Sequence, residues 1–394
     1  MTEPSHASAS LPPPSTPLAS ASAPSAPPPP LPPPAPVTFP ISWILDNAAP
    51  PIRYRALRDV ARPSQELIEG AQVLAYSYGP ALLLAVQQAP DGTWNQAMLS
   101  VPSPKSTNFE GVGTINAARR LLEYGWDRES PPLIQARRVL FRLLAEDDDP
   151  AYLYELAPKG TKVDAESAQR GRMVLREAAA ATLAQAGYEG DPRLRGAAKR
   201  ITERVAEFVR SPLGERPFVR VGNQHVIAAE ATPPSLFLLQ MLAHMPLFRS
   251  EHYQLLDVIY EYIARPLPRQ TAVQLFGKKI LPQPQLVLGD MLASRNVVDA
   301  DVPWALHWLE LMARLGYLRR NDGWCKLFER FLDDRDAQGV WHPHKGTAVA
   351  RSANPYVWPS YPLEGDQVSE DRWTDATFRL GLIARLSGRP IELV

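Results

Sequence analysis

Apolar residues recur at helical spacing along most of the chain beyond residue 39. Residues 304–318 and 252–263 both carry large apolar side chains at steps of three and four. This spacing places those side chains on one face of an α-helix, where they can pack against a core. The stretch 172–186 is rich in strong helix formers and meets Gly187, which predicts a helix that ends at that glycine.

Strand patterns are rare by comparison. Residues 218–228 form the one serious candidate for a strand or hairpin, because β-branched residues alternate with other residues there. Prolines recur between the helical blocks, where they can begin or end helices but not continue them. The pattern therefore predicts one mostly α-helical domain over residues 39–394.

A helix followed by a tight turn and a tryptophan occurs twice, at residues 82–94 and 327–341. The shared residues are Asp91, Gly92 and Trp94 in the first copy and Asp336, Gly339 and Trp341 in the second. Glycine permits the turn, and the tryptophan can fold back onto the apolar end of the preceding helix. We therefore predict that Gly92, Trp94, Gly339 and Trp341 are structural turn residues.

A second repeated feature lies at predicted helix starts. Residues 47–60, 130–140 and 191–201 each place a polar residue and a proline first, then alternate arginine with small and aliphatic residues. Such starts favour a HEAT-like helical solenoid, although their unequal separations do not fit a regular array. Within the first of them, Arg53, Arg55 and Arg58 with Asp59 are typical of a solvated face with local ion pairs.

Composition separates the N-terminal segment from the rest of the chain. Fifteen of the 42 prolines lie in the first 40 residues, and Glu3 is the one charged residue before Arg53 apart from Asp46. Such a segment has little to bury and cannot offset its ordering entropy. We therefore predict a disordered tail over residues 1–38, followed by the helical domain over residues 39–394.

Charge and cysteine content exclude several classes of protein. The 42 Lys and Arg balance the 42 Asp and Glu, which argues against a nucleic-acid binder or a polybasic membrane-surface protein. Cys325 is the single cysteine, so there is no internal disulfide framework, and a reducing cytoplasm is the expected compartment. No stretch approaches 18 consecutive apolar residues, so no membrane span is predicted. No cofactor is predicted either.

The two Gly-x-Trp turns resemble the QW-type repeats of the squalene-cyclase and protein-prenyltransferase superfamily. Gln87 or Gln88 with Asp91, Gly92 and Trp94 matches the motif, and the segments 41–60, 104–126 and 371–386 resemble bacterial cyclase-like proteins of unassigned activity. The resemblance implies an all-α fold, an α/α toroid of helical hairpins, rather than the HEAT-like solenoid. It also implies a cavity lined by aromatic residues that takes an apolar, isoprenoid-like ligand.

The residues predicted to line that cavity are aromatic because aromatic faces suit isoprenoid chains and their carbocations. They are Trp304, Trp308, Tyr356, Trp358 and Trp373. The catalytic motif of class II cyclases, D-x-D-D, is replaced here by Glu146-Asp147-Asp148-Asp149 before a proline, which is typical of a solvated helix end. Asp148, Asp149 and His307 are the candidate catalytic residues, and His307 also fits a hydrogen-bonded histidine of the core.

Metal binding has one candidate set, because prenyltransferases hold zinc with Asp, Cys and His. The matching residues here are Asp322, Cys325, His342 and His344. A buried thiol beside surface histidines explains the same residues without a metal. No metal site is therefore predicted.

Two further functions stay open. One is a non-catalytic helical scaffold that binds a protein partner. The other is an (α/α) barrel that acts on carbohydrate, which needs two carboxylates about 5–10 Å apart. The candidates for that pair are Glu364, Asp366, Glu370 and Asp371. The expected partners are thus an apolar small molecule or a protein, and not a nucleic acid.

Overall fold

The first described residues pair with the last ones. Strand β1 (Val37–Phe39) runs parallel to β6 (Ile391–Leu393). A computed structural model describes residues 35–394 apart from 104, 107, 146–163, 269–271, 278, 293–296, 345–353 and 365–371. Because residues 37 and 38 pair with the C-terminal strand, the domain boundary predicted at residue 39 lies too late. A strand that pairs with a distant part of the chain need not show an alternating pattern of its own, and this proline-rich segment shows none.

The chain between these strands is mostly helical, as the apolar spacing predicts. The α-helices are α1 (Ile41–Asn47), α2 (Pro50–Arg55), α3 (Gln65–Ala71), α4 (Val73–Tyr76), α5 (Gly79–Val86), α6 (Thr114–Glu123), α7 (Pro131–Leu144), α8 (Ala165–Gln185), α9 (Pro192–Arg210), α10 (Pro212–Glu215), α11 (Leu236–Ala243), α12 (Pro246–Glu251), α13 (Tyr253–Ile263), α14 (Val302–Arg314), α15 (Asp322–Asp333) and α16 (Thr374–Leu386). A π-helix (Ala56–Ala61) continues α2, and two 3₁₀ turns flank α14 (Asp299–Asp301 and Leu318–Arg320).

Two hairpins form a small four-stranded sheet in the order β2-β3-β4-β5. The hairpin predicted at residues 218–228 is confirmed as β2 (Phe218–Val221) and β3 (Gln224–Ile227). A second hairpin, β4 (Val273–Phe276) and β5 (Lys279–Pro282), joins it where Ile227 pairs with Gln274. The sequence pattern does not predict this second hairpin, because its strands are short and its pairing with β3 is non-local.

Helices that are buried nearly all round alternate with helices that have one apolar face. The first kind comprises α6, the C-terminal half of α8, α11, α14 and α16. Between them along the chain lie the amphipathic helices α7, α9, α13 and α15. A helix without a polar face requires neighbours on every side. The buried helices supply these for one another, since α6 packs on α8, α8 on α11, α11 on α14 and α14 on α16.

The long helix predicted at 304–318 ends early. Gly316 adopts φ +77°, and the Tyr317 amide donates to the Met312 carbonyl at 2.8 Å, which closes the last turn of α14. The chain continues into the 3₁₀ turn Leu318–Arg320. By contrast, the helix predicted to stop at Gly187 does so, because α8 ends at Gln185 and Gly187 adopts φ +82°.

The two Gly–Trp turns share the burial of the tryptophan and its backbone hydrogen bond. Trp94 and Trp341 are at most 1% exposed, and each donates its backbone N–H at 3.0 Å to a threonine hydroxyl, Thr114 in α6 and Thr377 in α16. The Trp94 indole N–H donates to the Leu84 carbonyl of the preceding helix at 2.8 Å. A Cβ on Gly92, at φ +87°, would lie 2.8 Å from the Gln135 carbonyl oxygen, so the turn also needs a residue without a side chain. The Trp341 indole nitrogen, unlike that of Trp94, has no hydrogen-bond partner among the described residues.

No described helix combines the length and the apolar character that crossing a bilayer requires.

Candidate functional site

An uncommon backbone conformation lies at the start of the domain, where α2 passes directly into the π-helix. This helix ends at Arg62, whose φ of 54° and ψ of 58° lie in the left-handed region that L side chains rarely adopt. π-Helical turns are rare in proteins and concentrate at functional sites. Here the segment delivers Arg55, Arg58 and Asp59 to one wall of a cavity.

The cavity has a volume of about 600 Å³. Its walls come from α2 and the π-helix, from the ends of α6, α8, α11 and α14, and from α16. The lining residues are Tyr54, Arg55, Arg58, Asp59, Arg62, Gln72, Leu122, Glu123, Gly125, Trp126, Asp127, Arg128, Gln185, Ala186, His244, Arg314, Leu382 and Leu386. Five arginines thus face three carboxylates, so the lining carries an excess of positive charge.

Exposure of the lining side chains distinguishes two ends of the cavity. At what we term the open end lie Arg58, Arg62 and Arg128, whose side chains reach solvent. At what we term the buried end lie Arg55 and Glu123, whose side chains are 4% and 9% exposed, together with the half-buried Gln185, His244 and Arg314. Within the described part of the chain, the Arg62 side chain has no hydrogen-bond or ion-pair partner.

Glu123 on α6 joins three other elements at the buried end. Its carboxylate accepts from Arg55 on α2 and, at 2.8 Å, from Arg379 on α16. The Gln185 amide of α8 donates to its other oxygen at 2.7 Å. Burial alone would raise the pKa of Glu123, but the charges of the two arginines outweigh burial and hold the pKa well below its usual range. Glu123 is therefore ionised at neutral pH.

Arg379 extends the same network to α14. Its side chain is 2% exposed and donates at 2.6 Å to Glu310, which also accepts from Arg314 at 2.9 Å. Burial opposes ionisation of Glu310, yet Arg379 and Arg314 lower its pKa to about 2. Asp375 lies one turn before Arg379 at 3.8 Å, and burial raises the pKa of Asp375 to about 6 although Arg379 opposes that shift.

Asp59 closes the network on the side of the π-helix. It accepts from Arg55 at 2.8 Å and from Arg58 at 2.6 Å. Burial favours the protonated carboxyl, but these two cations prevail and keep the pKa of Asp59 below its usual range. The local ion pairs predicted for this segment are confirmed. The predicted solvated face is wrong for Arg55, which is 3% exposed because its partner Glu123 comes from a distant part of the chain.

One arginine of the network has no carboxylate partner. Arg119 on α6 is 5% exposed, and its Nε donates to the Gln185 side-chain oxygen at 3.2 Å. Its Nη1 has no hydrogen-bond partner among the described residues. Burial lowers the pKa of Arg119 to about 10, against the opposing influence of Glu123, so the group stays charged at neutral pH.

The side chains joined through these contacts form what we term the ion network. Its cations are Arg55, Arg58, Arg119, Arg314 and Arg379, and its anions are Asp59, Glu123, Glu310 and Asp375. Five positive charges against four leave one positive charge in surplus at neutral pH. An uncompensated charge away from water is costly. The surplus therefore favours the entry of an anion.

His244 adds a neutral polar group to the buried end. It follows the last residue of α11, and its imidazole has no hydrogen-bond partner among the described residues. Burial, assisted by the charge of Arg314, lowers the pKa of His244 to about 3. The ring is therefore neutral at physiological pH and can donate one hydrogen bond and accept another.

The candidate catalytic base His307 does not line this cavity. It lies on α14, 9% exposed, with Gln240 Nε2 at 3.3 Å and Ser360 Oγ at 3.4 Å from its two ring nitrogens. Burial lowers the pKa of His307 to about 4, and Arg119 adds to the shift. His307 is thus buried with a polar side chain beside each ring nitrogen.

The buried neutral state of His307 makes stability depend on pH. Between pH 6.5 and 4, His307 is protonated in the unfolded chain but stays neutral in the folded protein. The free energy of unfolding therefore falls as pH decreases. Asp375 acts in the opposite sense over the same range, because its folded pKa is raised. We expect His307→Gln to remove this pH dependence of the free energy of unfolding. For the uptake of one proton it amounts to about 1.4 kcal/mol per pH unit.

Urea unfolding at pH 4.5, 5.5 and 6.5 measures this slope for the variant and the wild type. Arg119, Glu310, Arg379 and Glu123 all face His307 and remain in both proteins, so the comparison isolates the histidine. His225→Gln, on the exposed part of β3, is the matched control and should keep the wild-type profile. Parallel profiles for His307→Gln and wild type would show that His307 is not held neutral by burial.

The five aromatic residues predicted to line a ligand cavity are packed elsewhere. Trp308 and Trp373 are fully buried, and Tyr356 packs edge-on against Phe237 at 5.4 Å. Trp304 stacks on Trp308 at 6.4 Å, and Trp358 lies beneath the Arg120 guanidinium at 5.2 Å. None of the five lines the cavity described above. Their rings are already engaged with neighbouring side chains.

The candidate metal residues are not gathered into a site. The Cys325 thiol on α15 donates to the Leu318 carbonyl, and burial raises its pKa. His342 pairs with Asp336 at 3.0 Å and His344 with Asp334 at 3.3 Å. Within the described residues, no three His, Cys, Asp or Glu side chains are placed to hold a metal ion.

Several candidate acids lie outside the described residues. These are Asp148, Asp149, Asp366, Glu370 and Asp371. Glu364 is described, and its carboxylate accepts from the Ala49 amide and the Thr374 hydroxyl, both at 2.5 Å. Burial raises the pKa of Glu364, while these hydrogen bonds oppose the shift. Its contacts tie the segment before α16 to the start of α2.

Comparison with models of protein families, with curated proteins and with solved structures gives no match for this chain.

Proposed function

We propose that the described helices form an α/α toroid whose buried helices surround the arginine-lined cavity. The alternation of buried and amphipathic helices supports a ring in two layers. Contacts of α16 with α2 and the π-helix, and the ion pair from Arg55 on α2 to Glu123 on α6, connect the two ends of the helix series. An open HEAT-like solenoid would leave its first and last helices apart. The proposed closure agrees with the resemblance to the cyclase and prenyltransferase superfamily.

We propose that the protein binds a small anionic molecule in this cavity. The surplus of positive charge in the ion network is the observation that carries the proposal. Its cations come from α2, the π-helix, α6, α14 and α16, so the surplus arises only in the folded protein. An anion removes the cost of an uncompensated buried cation, whereas a neutral ligand does not.

The dimensions of the cavity suit this function. Sites for small ligands typically have volumes of roughly 300–1,000 Å³, and about 600 Å³ lies within that range. Tyr54, Leu122 and Leu386 supply apolar surface for an organic body, while the arginines supply donors for a charged group. The isoprenoid-like ligand implied by the resemblance, the protein scaffold and the carbohydrate barrel stay predictions.

Reversal of charge at the cavity wall tests the proposal. Ala186 lines the cavity at the end of α8, in a helical conformation that any side chain can adopt. We expect Ala186→Glu to weaken anion binding at least about tenfold, because a new carboxylate repels the ligand. Ala186→Gln is the matched control, since it adds the same volume without the charge, and should weaken binding less.

The measurement is mass spectrometry of small molecules that stay bound through native purification. Wild-type protein and Ala186→Gln should both release an anionic compound on denaturation, and Ala186→Glu should not. A neutral compound in all three proteins, or equal amounts of an anion in all three, would contradict the proposed function.

A further inference from the structure

The surplus charge of the ion network has a definite location. Arg55 and Arg58 share Asp59, and Arg379 is held by Glu123 and Glu310. Arg119 alone among the five cations contacts no carboxylate directly, and its Nη1 is buried without a hydrogen-bond partner in the described part of the chain. Among the residues that the structure describes, Arg119 is therefore the cation of the network with a free donor and no carboxylate of its own.

Arg119 lies beside the buried end of the cavity. Its hydrogen-bond partner Gln185 lines the cavity, as do His244 and Arg314. Both Arg119 and Arg314 are near enough to His244 to lower the pKa of its imidazole, although burial contributes more. Arg119 does not itself line the cavity, but it lies near His244 and Arg314, which do.

Each of these groups retains a hydrogen-bond donor. Arg314 donates to Glu310 through Nε, and its Nη2 lies 2.9 Å from the same oxygen, which leaves Nη1 to a ligand. The neutral imidazole of His244 carries one N–H. Glu123 and Glu310 also face His244, but both are ionised and paired with arginine, so neither accepts a proton from a ligand.

We propose that the ligand is an organic monocarboxylate whose carboxylate group is seated among Arg119, His244 and Arg314. This inference rests on the proposed anion-binding function and specifies its ligand class. One negative charge equals the surplus of the network. A phosphate monoester carries about −1.5 to −2 at pH 7 and would leave unpaired negative charge beside Glu123 and Glu310. A carboxylate also fits the planar fork of a guanidinium. The organic body extends from there toward the open end.

The test uses acetate as the bare carboxylate, with acetamide as its uncharged isostere and inorganic phosphate as a second anion. Each is added to the full chain at constant ionic strength, and the melting temperature is recorded. Acetate should raise the melting temperature of the wild type by at least about 2 °C, because a ligand that binds only the folded state stabilises it. Acetamide should leave it unchanged, and phosphate should raise it less than acetate.

Variants locate the carboxylate. Arg119→Met should lose the acetate effect, whereas Arg62→Met at the open end should lose only part of it. Arg119→Lys keeps the charge and should keep part of the effect, which separates a lost site from a failure to fold. Arg216→Met, exposed and outside the cavity, should respond as the wild type does.

Each outcome has a distinct meaning. Phosphate that stabilises more than acetate, with the effect lost in Arg119→Met, would overturn the carboxylate assignment and leave the anion-binding function standing. An acetate effect lost in Arg62→Met but kept in Arg119→Met would move the anion to the open end and overturn this inference alone. Wild type that responds to neither anion would overturn both.

Discussion

Trp94→Ala lowers the free energy of unfolding by about 3–5 kcal/mol, as core substitutions of this size do. Trp94 is fully buried, and truncation leaves a cavity beneath the Gly92 turn. It also removes the indole donor from the Leu84 carbonyl, which is 2.8 Å away. Against a total stability of about 5–15 kcal/mol, the loss is a large fraction.

Trp341→Ala should behave in the same way, because Trp341 is 1% exposed and packs against Phe331 at 6.1 Å and Trp373 at 5.1 Å. Thermal and urea unfolding without ligand measure both variants. Leu82→Ala on α5, where the side chain is 44% exposed, is the control and should change stability by less than about 0.5 kcal/mol. A melting temperature within a degree or so of wild type for either tryptophan variant would refute the structural assignment of that residue.

Arg379→Met is the second substitution with a large expected effect. It leaves Glu123 and Glu310 facing each other near the buried end of the cavity without the guanidinium that joins them. Removal of one partner from a buried ion pair typically costs about 3–5 kcal/mol. Here each carboxylate loses one of its two arginine partners, since Glu123 keeps Arg55 and Glu310 keeps Arg314. Lysine is not an adequate replacement, because one ammonium lacks the planar fork that contacts two carboxylates.

The pH dependence of this loss identifies its cause. In the variant, loss of the Arg379 charge raises the pKa of both carboxyls relative to the wild type, so they take up protons at higher pH and the penalty diminishes as pH falls. In the wild type, Glu123 and Glu310 have lowered folded pKa values, and their stabilisation is lost as pH falls through their unfolded values. The stability gap between the two proteins should therefore narrow between pH 7 and pH 4.5.

Urea unfolding at the two pH values measures the gap. Lys199→Met is the matched control, because its pair with Glu203 on α9 is 58% and 44% exposed and contributes about 0–1 kcal/mol. A gap that is the same at both pH values would show that lost packing, and not the lost ion pairs, accounts for the effect of Arg379→Met.

Local sequence was sufficient for much of the secondary structure. Apolar side chains at steps of three and four predicted α13 and most of α14 because a helix in a globular protein must turn one face to the core. Gly187 ended α8 as predicted, since glycine adopts positive φ at low cost. The hairpin at 218–228 was predicted for a similar reason, because residue types that alternate along the chain indicate a strand whose two faces differ.

The short parallel contact between β1 and β6 was beyond such reasoning. It joins Val37 to Ile391, and nothing in either segment specifies a partner at that separation. The second hairpin, β4–β5, was missed because each of its strands has four residues and its pairing with β3 is non-local. Non-local strand pairing depends on the whole fold, so the residues of the paired strands show only a weak sequence pattern.

The candidate site shows the same division more sharply. The sequence by itself determined that Arg55 can pair with Asp59, because residues four apart meet on one helix face. It equally suggested that such charges are solvated, as helix-surface charges commonly are. Only the tertiary structure decided that Arg55 is buried against Glu123, that Arg379 joins Glu123 to Glu310, and that Arg119 is left without a carboxylate. These contacts join residues that lie far apart in the chain, and their energies depend on burial, which arises only when the helices have packed.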